Sequence, residues 1–188
     1  MGNAVMENQR VRQAITGAMF ALMDEKSFSE ITVSDIVREA GVARASFYRN
    51  FDTKEAVIDG FIRDFNADIL PPEPGFDEKN LSREALVQRM EYSFSRVLKK
   101  RSQVLALFNN GFGGHLQNIA DLYVEELAGD MLYNSADKYM LYCFSGAGMN
   151  MLIHWLRDGG LESPHELAVA CTDFFLRGRR DIHFRFHG

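Results

Sequence analysis

The stretch Ile31 to Ile58, ITVSDIVREAGVARASFYRNFDTKEAVI, decides the fold. Thr32 is a good N-cap and Asp35, three positions on, completes a capping box, since each side chain satisfies a backbone N–H that the first helical turn leaves open. A helix therefore starts there and buries Ile36, Val37 and Ala40. Gly41 ends it, supplying the positive φ that a tight turn between crossed helices needs, and Val42 beside it reads as a core plug. A second helix starts near Ala43 with Phe47 and Phe51 as apolar anchors. That leaves Arg44, Ala45, Ser46, Tyr48, Arg49 and Asn50 to face outward or along a groove. Asp52 and Glu55 form a second capping box, with Lys54 in the first turn of the next helix, where free N–H groups favour an anion. Two short helices around a glycine turn, followed by a capped third, are the layout of a helix-turn-helix that reads DNA.

The ordered set Thr32, Ala40-Gly41-Val42, Phe47-Tyr48, Asn50-Phe51 and Lys54-Glu55 resembles the N-terminal domain of the TetR/AcrR family of bacterial transcriptional repressors. The motif covers about thirty residues; the rest of the chain is similar in length and helicity, with a looser likeness over Trp155 to Ala168. Ala43 stands where many members have a serine N-cap, and Asn50 where histidine or tyrosine is common. The resemblance implies a dimeric, all-helical protein that leaves a palindromic operator when a small molecule binds its C-terminal domain. It implies neither cofactor nor metal.

Length and composition agree with that expectation. A chain of 188 residues with 46% hydrophobic content can bury a good core, as one domain or as a small head on a larger body. No apolar run approaches the ~20 residues that span a bilayer, and the N-terminus has no signal-peptide pattern, so a cytoplasmic protein without membrane contact is expected. The net charge of −5 opposes DNA binding in general. Between Arg38 and Lys54, however, four basic residues (Arg38, Arg44, Arg49, Lys54) face two acidic ones, Glu39 and Asp52. Screening over roughly 8 Å at physiological salt lets that local face act almost independently of the body.

Periodicity predicts nine helices and no strands. The first, about 7–24, carries the stripe Val11, Ile15, Ala18 and Leu22, and Phe28 and Ile31 close the small core beneath it. The fourth, from Thr53 to about Asp68, carries Val57, Ile58, Phe61, Ile62 and Phe65. Pro71, Pro72, Pro74 and Gly75 then form the only candidate linker. The expected division is a DNA-binding head over 1–52 and a ligand-binding and dimerisation body over 53–188 that includes the connecting helix. In the body, Ser82 caps a fifth helix, a short sixth runs through Val104 to Phe108, and Gly111, Gly113 and Gly114 interrupt. A seventh ends before Gly129, and the eighth spans about Ala136 to Arg157. Ser163-Pro164-His165-Glu166 opens the ninth, with N-cap, N1 proline and N3 acid in place.

Other chemistries find little support. Cys143 and Cys171 lack CxxC spacing and read as buried thiols. His183 and His187 have HxxxH spacing without a companion acid motif, so an exposed tail is the simpler reading than a metal site. Gly111-Phe112-Gly113-Gly114 follows a helix rather than a strand, which reads as a loop and not a nucleotide cradle.

On the reading helix, Arg44 and Ser46, with Ala45 beside them, are the candidates for base edges. Thr32, Tyr48, Asn50 and Lys54 are the candidates for the DNA backbone, and Arg49 is a further DNA-binding candidate on the same helix. Aromatic and methionine side chains of the body are core by default. Phe94, Phe108 and Phe112, with the polar groups of His115 and Asn150, are the candidates for an effector pocket. Ser145, Gly146, Ala147 and Gly148 would allow close approach of a second copy. The rival readings are a helical interaction or ligand-binding protein with a vestigial head, and a Cys/His-dependent enzyme, for which no spacing places a base beside a nucleophile.

Overall fold

The computed structural model describes residues 2–70, 82–128 and 137–181, with side chains over 6–70, 82–125 and 139–177. The linker residues Pro71, Pro72, Pro74 and Gly75, together with Gly129, Ala136, His183 and His187, lie outside the described residues. All regular structure among the described residues is helical. It comprises α1 (Gly2–Glu25), a 3-10 turn (Phe28–Glu30), α2 (Val33–Ala40), α3 (Arg44–Asn50) and α4 (Lys54–Ile69), then α5 (Arg83–Lys99), α6 (Arg101–Leu107), a π segment (Phe108–Phe112), α7 (Gly113–Ala128), α8 (Asp137–Arg157) and α9 (Pro164–Asp181). None of these helices is long and apolar enough to cross a membrane.

The chain forms two compact units. One runs to Ala67 and takes in Ala106–Gly111; the other comprises Asp68–Leu105 and the chain from Phe112 onward. The first unit therefore takes in α4 together with the helices over 1–52. The reason lies in α4, whose Val57, Ile58 and Phe65 are buried with Ile15, Met19 and Leu22 of α1, Ile36 of α2 and Phe47 of α3 in the head. Full burial of side chains such as Phe47 and Ile36 stabilises the head by about 1.5–3 kcal/mol each. Rings extend the packing, Phe20 meeting Phe61 edge-on at 4.6 Å between centroids.

The turn between α2 and α3 forms as its residues dictate. Thr32 Oγ1 accepts from Asp35 N at 3.2 Å, and Asp35 Oδ2 accepts from Thr32 N at 3.1 Å. At the other end Gly41 adopts φ 64°, ψ 30°, its N–H bonding to Arg38 O, while Val42 N bonds to Val37 O at 3.1 Å. This closure satisfies carbonyls that the helix end would otherwise leave bare. Val42 is half-buried beside it. The start of α4 differs from expectation: Thr53, not Asp52, is the cap, its Oγ1 accepting from Ala56 N at 3.1 Å.

The glycines at 111, 113 and 114 do not break the chain into a loop. α6 passes into α7 through the π segment, with only Asn110 (φ −100°, ψ 17°) and Gly111 (φ 90°) outside helical geometry. The kink is held by its own side chain. Asn110 Nδ2 donates to Ala106 O at 2.9 Å and Met23 O at 3.4 Å, and its Oδ1 accepts from Phe28 N at 2.8 Å.

In the second unit α5 packs along α9 and α7 along α8. Leu86 and Phe175 form one buried cluster with Phe144 and Tyr123; Val87, Met90 and Ala168 form another with Phe94 and Cys171. Arg83 grips Asp173 through two bonds of 2.7 and 3.1 Å. The expected start of α9 is observed, with Ser163 N donating to Glu166 Oε2 at 2.8 Å and Glu166 N to Ser163 Oγ at 3.2 Å. The last turn of α4 is tied to α5, as Arg96 pairs with Asp68 at 3.0 Å and Ser93 Oγ donates to Ile69 O at 2.8 Å.

Candidate nucleic-acid interface

Burial of Phe47 and Phe51 fixes the rotation of α3 and turns Arg44, Ala45, Tyr48 and Arg49 outward, with Tyr48 47% exposed. Ser46 and Asn50 are half-buried at the edge of this face, and Thr32 is exposed at the start of α2. Ala43, without a capping side chain, leaves its carbonyl to receive Ser46 N and Phe47 N at 2.8 and 3.2 Å.

The polar side chains of this face are held in a fixed arrangement. Arg44 Nη1 donates to Ser34 Oγ of α2 at 2.9 Å and Nη2 to the Tyr48 hydroxyl at 3.2 Å, so one guanidinium bridges the two helices of the motif. Arg49 Nη2 donates to Ser46 Oγ at 2.8 Å. Asn50 turns back on its own helix, Nδ2 donating to Ser46 O at 2.8 Å, and leaves Oδ1 buried without a partner.

Lys54, in the first turn of α4, is bonded within the head. Its Nζ donates to the carbonyls of Phe28, Ser29 and Ile31 at 2.8, 3.3 and 2.8 Å and stands 4.5 Å from the Phe28 ring centroid. The ammonium thus caps the 3-10 turn. Asp35, next to this turn, accepts from Lys26 Nζ at 2.9 Å and from Arg38 Nη2 at 2.8 Å. The bond from Lys26, then those from Thr32, hold its carboxyl far below the usual carboxylate range.

Residues of the first helix that the sequence reading treated only as cover also take part. Arg12 Nη1 donates to Asn50 O at 2.9 Å, and its guanidinium lies 4.3 Å from the Phe51 ring centroid. A cleft of about 230 Å³ opens here, lined by Arg12, Arg49, Asn50, Asp52, Gly60 and Arg63 among others. The only sequence signal was an arginine flanking the Val11–Ile15 stripe.

The candidate effector residues are less well grouped. Phe108 belongs to the first unit, while Phe94, Phe112, His115 and Asn150 belong to the second. His115 and Asn150 are exposed rather than set among apolar walls. Phe112 lies beside His115 with ring centroids 5.8 Å apart, and Phe94 packs against Trp155 at 6.2 Å. Of the two cysteines, expected as buried thiols, Cys143 is exposed and Cys171 is largely covered; burial pushes the Cys171 thiol up to about 11, so it stays protonated at neutral pH.

Residues 15–60 match the family model of bacterial regulatory proteins, tetR family. The chain is 31% identical over 102 residues to the HTH-type transcriptional regulator EthR of Mycolicibacterium smegmatis, a match covering 54% of this chain and 41% of that protein. It is 41% identical over 51 residues to an HTH-type transcriptional regulator of Haemophilus influenzae, covering 27% and 25%. The matched segments thus span less than half of either relative. Among solved structures, a TetR transcriptional regulator from Streptococcus agalactiae superposes with a TM-score of 0.66 at 16% identity, over 91% of this chain and 96% of that one. NalD, the secondary repressor of the MexAB-OprM multidrug efflux pump in Pseudomonas aeruginosa, gives 0.59 at 20% identity over 90% and 97%. Residues 15–60 thus carry a head sequence that matches the tetR family of bacterial regulatory proteins, and the arrangement of helices is similar to that of solved TetR regulators.

Proposed function

We propose that the protein is a DNA-binding transcriptional regulator, a repressor that leaves a palindromic operator when a small, mostly apolar effector binds its helical body. The observation that carries this reading is the outward face of α3, where Arg44, Ala45, Tyr48 and Arg49 stand exposed on a helix anchored by buried Phe47. A helix of this kind fits the major groove. Arg44 suits guanine O6 and N7, while Thr32, Tyr48 and Arg49 suit backbone phosphates.

The protein acts as a homodimer, because a twofold pair of heads matches two operator half-sites. Its twofold axis runs along α8 and α9. An effector that binds better to the state with mismatched head spacing shifts the population away from DNA. Among the body candidates, Phe94, Phe112, His115 and Asn150 remain the proposed effector contacts.

A gel shift with genomic fragments that include the chain's own upstream region tests the reading. Binding that is lost on adding competing specific duplex supports it; no shift at low salt sinks it and leaves an interaction protein with a vestigial head. Arg44→Ala should cost about 1–3 kcal/mol at one base pair per half-site and relax preference there. Equal loss across all mutated operators would assign Arg44 to the backbone.

A further inference from the structure

We propose that the cleft between α1, α3 and α4 is a phosphate-binding site. Three guanidinium groups from three helices, Arg12, Arg49 and Arg63, line one cleft of about 230 Å³, and the carboxylate among its lining residues is that of Asp52. At about 30 Å³ per water, the space accommodates a phosphate group with several waters. Three like charges gathered around a small polar space call for an anion. Forked guanidinium donors match the several oxygens of a tetrahedral oxyanion better than a single point charge does.

The cleft is already organised for that ligand. Arg12 cannot swing freely, because Nη1 is bonded to Asn50 O at 2.9 Å and its plane rests on Phe51 at 4.3 Å. Its other amino group faces Gly60, where an added Cβ would stand 3.5 Å from Nη2 and 3.4 Å from Phe51 Cε1. The missing side chain at position 60 therefore keeps the space beside Nη2 open. Asn50, also lining the cleft, has a buried Oδ1 without a partner.

Tyr48 and Arg49 belong both to the outward face of α3 and to this cleft. A phosphodiester of the strand beside the reading helix is thus the source nearest to hand; free phosphate offers the same chemistry. The choice of source rests on the DNA-binding reading, whereas the site itself does not.

Two variants of the full chain test the site. Arg63 is exposed, so Arg63→Gln should leave the melting temperature unchanged. Gly60→Ala adds only an ordinary contact and should raise the melting temperature, since alanine favours a helix interior over glycine. Binding to a duplex carrying the upstream region is measured over a salt series, and inorganic phosphate is titrated in parallel against chloride. If the site holds a DNA phosphate, Arg63→Gln lowers the salt slope by about one and Gly60→Ala weakens DNA binding in a more stable protein. If the slope stays unchanged but both variants bind inorganic phosphate at least tenfold more weakly, the ligand is free phosphate. Unaltered DNA binding together with unaltered or absent phosphate binding overturns the site. A wild-type protein that binds no DNA at any salt would end the regulator reading, and the phosphate titration alone would then decide the cleft.

Discussion

At Lys54 a single ammonium holds three carbonyl oxygens, those of Phe28, Ser29 and Ile31, at the foot of the head. Charged hydrogen bonds of this kind are worth about 1.5–3 kcal/mol in folded proteins. Lys54→Ala should therefore lower the unfolding free energy by roughly that amount in urea titration, with a salt slope for DNA close to wild type. A slope reduced by one at unchanged stability would return Lys54 to the DNA backbone. Asp35 makes a second test at this scale. Its carboxyl is held far below its ordinary range by Lys26 and then Thr32. In the unfolded chain it titrates near its usual value of about 4, so below that pH the unfolded state binds the extra proton. The stability it contributes is complete above about pH 5 and is lost as pH falls. Asp35→Asn should lower stability at pH 7 and flatten its decline between about pH 5 and pH 2; an acid limb that keeps its steepness would show that Lys26, Thr32 and Arg38 give Asp35 nothing.

Among the elements, α2 and its turn were legible because their signals are local. Thr32, Asp35 and Gly41 act within a few residues of themselves, and each does what its chemistry requires. Thr32→Ala should cost about 0.5–2 kcal/mol through the lost cap, and Gly41→Ala about 1–2 kcal/mol because its φ of 64° is unfavourable for a residue with a Cβ. Thermal unfolding of both variants checks the pair; a Gly41→Ala protein as stable as wild type would mean the turn can relax. The π segment was illegible for the opposite reason. Three glycines close together read as a break, and what holds the helix through them is Asn110 reaching Met23 and Phe28, far away in sequence. The contacts of Lys54 within the head were illegible likewise, since its carbonyl partners lie at 28, 29 and 31. His115 and Asn150 sit on apolar helices, yet helical spacing alone did not say which face turns outward; both are exposed.

On the scale of the whole molecule, α8 and α9 carry large side chains that stand exposed in the single chain. Tyr139 is 62% exposed, Tyr142 40% and Phe174 55%, with Ala147 and Ala170 also outward. Exposed aromatic and small residues on these two helices suit a self-complementary twofold contact. The protein should sediment as a dimer, and Ala147→Glu and Phe174→Glu should each shift it to monomer with its helicity intact, because a tightly packed surface cannot hydrate a new charge. Two folded variants that remain dimeric would place the axis elsewhere.

The borrowed stretch 106–111 also bears on how such a protein can be taken apart or recombined. The head counts Ala106–Gly111 among its own residues, and Asn110 satisfies the N–H of Phe28 at 2.8 Å. A chimera spliced at residue 70 would carry the reading helices but orphan that N–H, and would lose the packing of Ala106 and Leu107, both buried. Grafting the head onto another body should therefore work only when 106–111 travels with it. Thermal melts of the two grafts, with and without that stretch, compare the cases directly: equal melting temperatures would mean that the head is a transplantable module after all, and a lower one for the bare splice would make this protein two interleaved pieces of one chain.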